Sequence, residues 1–146
     1  MKVLIDTCVV IDVLQDREPF SADAKKLFLA VANEKCEGML TAKSTTDIYY
    51  LMHRHTHSDK ESRRVLNALF TLFELLDTTG LDCKKALSSE TSDYEDAVMI
   101  ESAIHAEVDC IVTRNLKDFE KSPISVYSPS DFLELLRKKE IGESKE

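Results

Sequence analysis

The chain has 146 residues, 43% hydrophobic and 32% charged, a balance that predicts one folded domain and excludes a disordered chain. Lys and Arg number 19 against 27 Asp and Glu, a net charge of −8, which argues against a protein that holds nucleic acid on a basic surface. An enzyme that reaches nucleic acid through a metal stays open, because carboxylates that bind a cation enter the formal count and the cation does not.

Three glycines, three prolines and no tryptophan leave few helix breakers, so a helix-rich fold is expected. Cys8, Cys36, Cys83 and Cys110 form no CxxC pair, which disfavours a zinc ribbon or a disulfide framework. No apolar stretch approaches the length of a membrane span, and the start lacks the charged and apolar regions of a signal peptide. A cytoplasmic protein without membrane contact is the expectation.

Residues 2–6 open the chain as a strand: Val3, Leu4 and Ile5 are continuously apolar, as in a parallel strand buried on both faces. Asp6 ends it, with Thr7 beside it, and residues 8–14 begin a short helix. Ser21 to Asn33 carries Ala24, Leu27, Phe28, Val31 and Ala32 at helical spacing. Gly38 to Thr41 is a second strand. Helices are expected over Ser44 to His55 and Lys60 to Leu75, with Ile48, Leu51, Met52 and one or both of Tyr49 and Tyr50 packed inward.

Leu75 to Thr78 is a third strand and Leu81 to Leu87 a short helix. Asp93 to Ala106 is a strongly apolar helix. Asp109 to Thr113 is a strand, Asn115 to Phe119 a short helix, Ile124 to Tyr127 a last strand, and Ser130 to Lys138 a closing helix. The domain spans 1–139, with 140–146 a flexible tail. This alternation predicts an α/β fold, a central and mainly parallel sheet flanked by helices on both faces.

Four carboxylates stand out against that frame. Asp6, Asp47 and Asp118 each follow a predicted strand within a few residues, and Asp96 opens a helix too apolar to lie on the surface. Each has a simpler reading as a helix cap or first-turn acid: Asp6 before its helix, Asp47 three residues after Ser44, Asp96 after Asp93, Asp118 after Asn115. Helices that follow parallel strands start at the sheet's carboxyl edge, so the four would converge in one crevice. Close carboxylates repel and raise one another's pKa unless a cation joins them. Oxygen donors without His or Cys nearby in sequence favour Mg²⁺ or Mn²⁺ over zinc. Such a site suits phosphodiester hydrolysis. Asp6, Asp47 and Asp96 are cast as the main ligands. Asp118 would complete a second ion's site or orient the attacking water. Thr7 and Thr113 would place hydroxyls on the water shell or on a phosphate oxygen.

Four stretches carry this pattern in order: Leu4-Ile5-Asp6-Thr7, Ser44-Thr45-Thr46-Asp47-Ile48, Asp93-Tyr94-Glu95-Asp96-Ala97, and Val112-Thr113-Arg114-Asn115-Leu116-Lys117-Asp118-Phe119, with Pro129 to Leu136 behind them. Together they resemble the PIN domain, the metal-dependent ribonuclease fold of VapC-type toxins. The resemblance implies an endoribonuclease with RNA as substrate, the toxin of a type II toxin–antitoxin pair, homodimeric and restrained by an antitoxin that covers the crevice. The chain departs from the family in three places. Asp47 stands where Glu is commoner, one methylene longer. Asn115 stands where many members carry the fourth acid, which weakens a second metal site before the first, and Asp118 is the nearest replacement. Asp93 is an extra acid beside Asp96.

The remaining features receive plainer readings. His53, His55 and His57 read as a solvated helix end. Of Arg54, Arg63, Arg64 and Arg114, the last is the better phosphate contact because it lies beside the crevice. Tyr49, Tyr50, Leu51 and Met52 read as core, and Asp12 as a helix-surface acid. Asn115 and the acidic surface suggest a rival reading, a catalytically weak or inactive PIN-like module that binds RNA or protein. A receiver domain would carry its phosphorylated Asp later than residue 6, an aspartate-nucleophile phosphatase needs an acid where Cys8 stands, and no glycine-rich turn supports a dinucleotide fold.

Overall fold

A computed structural model describes residues 1–144 of the chain. Strand β1 (Lys2–Ile5) is followed by helices α1 (Thr7–Leu14) and α2 (Ser21–Ala32), then β2 (Glu37–Thr41), α3 (Ala42–Thr56) and α4 (Asp59–Leu72). After β3 (Glu74–Leu76), α5 (Gly80–Ala86) and α6 (Tyr94–His105) lead to β4 (Cys110–Val112). A single 3₁₀ turn (Leu116–Phe119), β5 (Ser125–Tyr127) and α7 (Pro129–Ser144) complete the described residues.

All four strand pairings are parallel, in the order β3-β2-β1-β4-β5. The chain builds outward from β1 to β3, then crosses back to add β4 and β5 on the other side. The order therefore reverses at β1, and the carboxyl end of β1 faces the crevice that such a reversal opens. Pleating sends Val3, Ile5, Leu40 and Val112 into one core with α1, α2, α3, α4 and α7. Leu4, Met39 and Ile111 enter a second core with α6 and Phe119. Both faces are covered, which is why the central strands are apolar without alternation.

With so few glycines, other residues end the helices. Asp16, Glu34, His57 and Glu107, close behind α1, α2, α3 and α6, take φ between 48° and 58°, a left-handed turn that an L side chain adopts at some cost. Gly38 is needed for space. A Cβ there would meet the Phe73 ring at 2.7 Å and the Val31 side chain at 2.9 Å.

Two expectations change. The short helix expected over 115–119 is a four-residue 3₁₀ turn, anchored by the buried Phe119. The expected tail from residue 140 is helical as far as Ser144, because α7 packs on α2 and Lys35 pairs with Glu140. Residues 145 and 146 of that tail lie outside the described residues. No helix among the described residues is long and apolar enough to cross a membrane, and all four cysteines are free thiols.

Candidate metal centre

β1 delivers Asp6 to the sheet's carboxyl edge as the residue before α1. Its side chain makes no capping bond to that helix. It is 7% exposed and accepts a hydrogen bond from Thr113 Oγ1 at 2.8 Å and a weaker one from Cys8 Sγ at 3.4 Å. The Asn115 backbone N–H in turn donates to Thr113 Oγ1 at 3.0 Å. Burial raises the Asp6 carboxyl above its ordinary range, against the hydrogen bonds from Thr113 and Cys8 that favour its charge. Burial and then the Asp6 charge push the Cys8 thiol up to about 11, so it stays a neutral donor.

Asp47 comes from α3, whose cap is Thr41 rather than Ser44: Thr41 Oγ1 accepts from the Ser44 N–H at 3.1 Å. That leaves Asp47 in the second turn, where Lys43 donates to it at 2.6 Å and also pairs with Glu95. Partial burial pulls the Lys43 ammonium down, but the bonds to Asp47 and Glu95 outweigh it and hold it above its ordinary value.

Asp96 lies in the first turn of α6. Its own N–H is capped by Asp93 Oδ1 at 3.0 Å, so the extra acid of this stretch serves as the helix cap. The Asp96 carboxyl is pushed up to about 7, first by burial and then by the charges of Asp6, Asp93, Asp118 and Glu95.

Asp6, Thr7, Asp47, Glu95 and Asp96 line one pocket of roughly 290 Å³, together with Lys43, Ser44 and Tyr50. Three acids far apart in sequence thus share a cleft. Asp118 does not line it. It sits exposed on the 3₁₀ turn, near enough for its charge to act on Asp96.

Several sequence readings are corrected. The Thr113 hydroxyl holds Asp6 rather than facing water or phosphate. Arg114 is not a free phosphate contact: its Nε and Nη2 donate to Asp12 at 2.5 and 3.1 Å, and its guanidinium lies 4.0 Å from the centre of the Phe20 ring. Asp12 is accordingly not a surface acid but 1% exposed, since α1 packs on α2 and α3 and shares a core with the sheet. Tyr50 is 60% exposed at the pocket rather than core. Sequence reasoning placed neither Lys43 nor Glu95 at the site. The i, i+4 spacing of Lys43 and Asp47 was the available signal for the first.

Four carboxylates against one ammonium on the pocket wall suit a hard divalent cation in kind. Among the described residues, however, no three His, Cys, Asp or Glu side chains stand close enough together to hold a metal ion. Asp47 is instead paired with Lys43.

A family model described as PIN domain matches residues 2–117. No curated protein matches the sequence. Among solved structures, a toxin–antitoxin complex from Klebsiella pneumoniae superposes with a TM-score of 0.64 at 21% identity, covering 87% of this chain and 97% of that one. VapBC-1 from nontypeable Haemophilus influenzae gives 0.65 at 12% identity, covering 89% and 99%. Mycobacterium tuberculosis VapC20, a toxin that cleaves the sarcin-ricin loop, gives 0.59 at 13%, covering 75% and 86%. With the parallel sheet, the reversal at β1 and Asp6 at its carboxyl end, the match over most of the sequence leads to one conclusion: this chain belongs to the PIN domain family.

Proposed function

We propose that this chain is a Mg²⁺- or Mn²⁺-dependent endoribonuclease, the toxin of a type II toxin–antitoxin pair, which acts as a homodimer in the cytoplasm and is silenced by an antitoxin that covers the pocket. The observation that carries the reading is the meeting of Asp6, Asp47 and Asp96, from three distant segments, on one pocket wall. Family membership and the toxin–antitoxin complexes of similar fold add support.

Asp6 and Asp96 would hold the cation, with Asp47 joining once Lys43 releases it. Asp118, on the nearby turn, is the candidate for a second ion or for steering water. Bound there, the ion supplies Lewis acidity, acidifying water and screening the scissile phosphate. The chain's own part is positional. Thr113 and Cys8 orient the Asp6 carboxylate, and Asn115 fixes the Thr113 hydroxyl through its backbone N–H. The Asp93 cap settles the start of α6 and with it Asp96.

The test is cleavage of transfer and messenger RNA with Mg²⁺ or Mn²⁺, with and without EDTA, for the unsubstituted chain and for Asp6→Asn and Asp96→Asn. Loss of at least about a hundredfold in both folded variants, and in EDTA, is expected. Cleavage retained in both would remove the proposal. The bond between Lys43 and Asp47 and the presence of Asn115 favour one second reading, a catalytically weak PIN module that binds RNA or protein. Titration calorimetry with Mn²⁺ separates the two, because that module would bind no ion.

A further inference from the structure

One stripe of α3 runs from the pocket outward through Lys43, Asp47, Tyr50 and Arg54, spaced four, three and four residues apart and so on one helical face. Arg54 lies about 10 Å beyond Asp47 along the axis. Tyr50 lines the pocket and, at 60%, is the most exposed aromatic residue among the described residues, while its neighbours Ile48 and Met52 on the same helix are buried. The Arg54 guanidinium lies over that ring, 5.7 Å from its centre.

Charge gives this pair its meaning. A chain of net charge −8 must hold a polyanion with a few well-placed cations. Most arginines and the pocket lysine are already engaged: Arg114 by Asp12, Arg63 by Asp59, Arg64 by Glu61, Arg137 by Glu134, and Lys43 by Asp47 and Glu95. Arg54 has no carboxylate partner among the described residues, and its guanidinium rests on Tyr50. Alongside, the Tyr49 and His53 rings stack with their centres 5.8 Å apart.

We infer that Tyr50 and Arg54 form a subsite for single-stranded RNA at the mouth of the pocket: the tyrosine ring receives an unpaired base, and the guanidinium holds the phosphate beside it. Exposed aromatic faces next to cations are how proteins grip single strands without reading their sequence. The inference rests on the ribonuclease reading and names the substrate contacts outside the carboxylates.

The test measures binding rather than cleavage. Fluorescence anisotropy follows a short fluorescein-labelled single-stranded RNA of mixed sequence, titrated with the full chain carrying Asp96→Asn so that nothing is cut. Adding Tyr50→Ala should weaken binding about tenfold, and Tyr50→Phe should restore it. Arg54→Ala should also lower the slope of log affinity against log salt by roughly 0.7, one phosphate contact on a single strand. RNA binding unchanged by both alanine variants overturns the subsite and leaves the cleavage proposal standing. No binding by the parent chain overturns the subsite, and absence of cleavage in the separate assay would then remove the ribonuclease reading as well. If Tyr50→Ala changes only the mass in light scattering, the ring belongs to a protein interface and the subsite is overturned.

Discussion

Two buried aspartates, six residues apart at the two ends of the same short helix, have opposite surroundings. Asp12 is 1% exposed and receives two hydrogen bonds from the Arg114 guanidinium, which is itself backed by the Phe20 ring. Asp6 is 7% exposed and its donors are neutral, among them a hydroxyl and a thiol, while other carboxylates stand across the pocket from it. One charge is cancelled inside the fold. The other is left for something from outside to cancel. A buried charge with its counter-charge in place belongs to the architecture, and a buried charge without one marks a site.

Breaking the cancelled pair should have the largest effect. Asp12→Asn leaves the Arg114 guanidinium without its partner and should cost about 3 kcal/mol of stability in urea unfolding. A cost under about 1 kcal/mol would show that the pair is not architectural. Next comes pH. The Asp96 carboxyl titrates near 7 in the folded chain against 3.8 for the free group, and Asp6 is raised in the same direction. Between those values the folded state binds more protons than the unfolded one, so stability of the metal-free chain should fall as pH rises from about 4 to about 7 and level off above. Allowing for partial solvent exposure, the fall is on the order of 1–2 kcal/mol. Added Mn²⁺ should flatten it, and a metal-free profile that rises over this range would contradict the comparison.

Asp6→Asn should change stability by less than about 1 kcal/mol, since it removes a charge that burial disfavours and keeps an acceptor for Thr113. A loss as large as that of Asp12→Asn would erase the distinction between the two residues. The smallest effect belongs to Lys43→Met. Its ion pairs are more than a third exposed and contribute at most about 0.5 kcal/mol to stability. The same substitution frees Asp47 and should tighten Mn²⁺ binding in calorimetry. Weaker binding would show that Lys43 helps the site rather than competing for it.

Much of the frame was legible in the residues. The apolar run Val3-Leu4-Ile5 ending at Asp6 identifies a central parallel strand, and the alternation of strand and helix patterns leads to the parallel sheet. Periodicity works at these places because burial on one face or two leaves a mark on neighbouring residues. It fails at Asp12, because a helix packed among other elements can bury an acid whenever a partner arrives from elsewhere, here from 102 positions away. It fails again at Tyr50, since an aromatic residue at core-compatible spacing can equally turn to a cleft.

By itself, the order of residues determined most of the elements, that they stack as a parallel sheet between helices, and that Asp6, Asp47 and Asp96 occur at or near the starts of helices. Those are properties of local backbone preference and hydrophobic period. Only the tertiary structure decided which charges are neutralised and which are not: Arg114 cancels Asp12 and Lys43 sits between Asp47 and Glu95, whereas Asp6 keeps its charge beside the neutral Thr113 hydroxyl and Asp118 stands on a neighbouring turn outside the pocket wall. Pairing across scores of residues depends on distances of a few ångströms, and no sequence interval encodes such a distance.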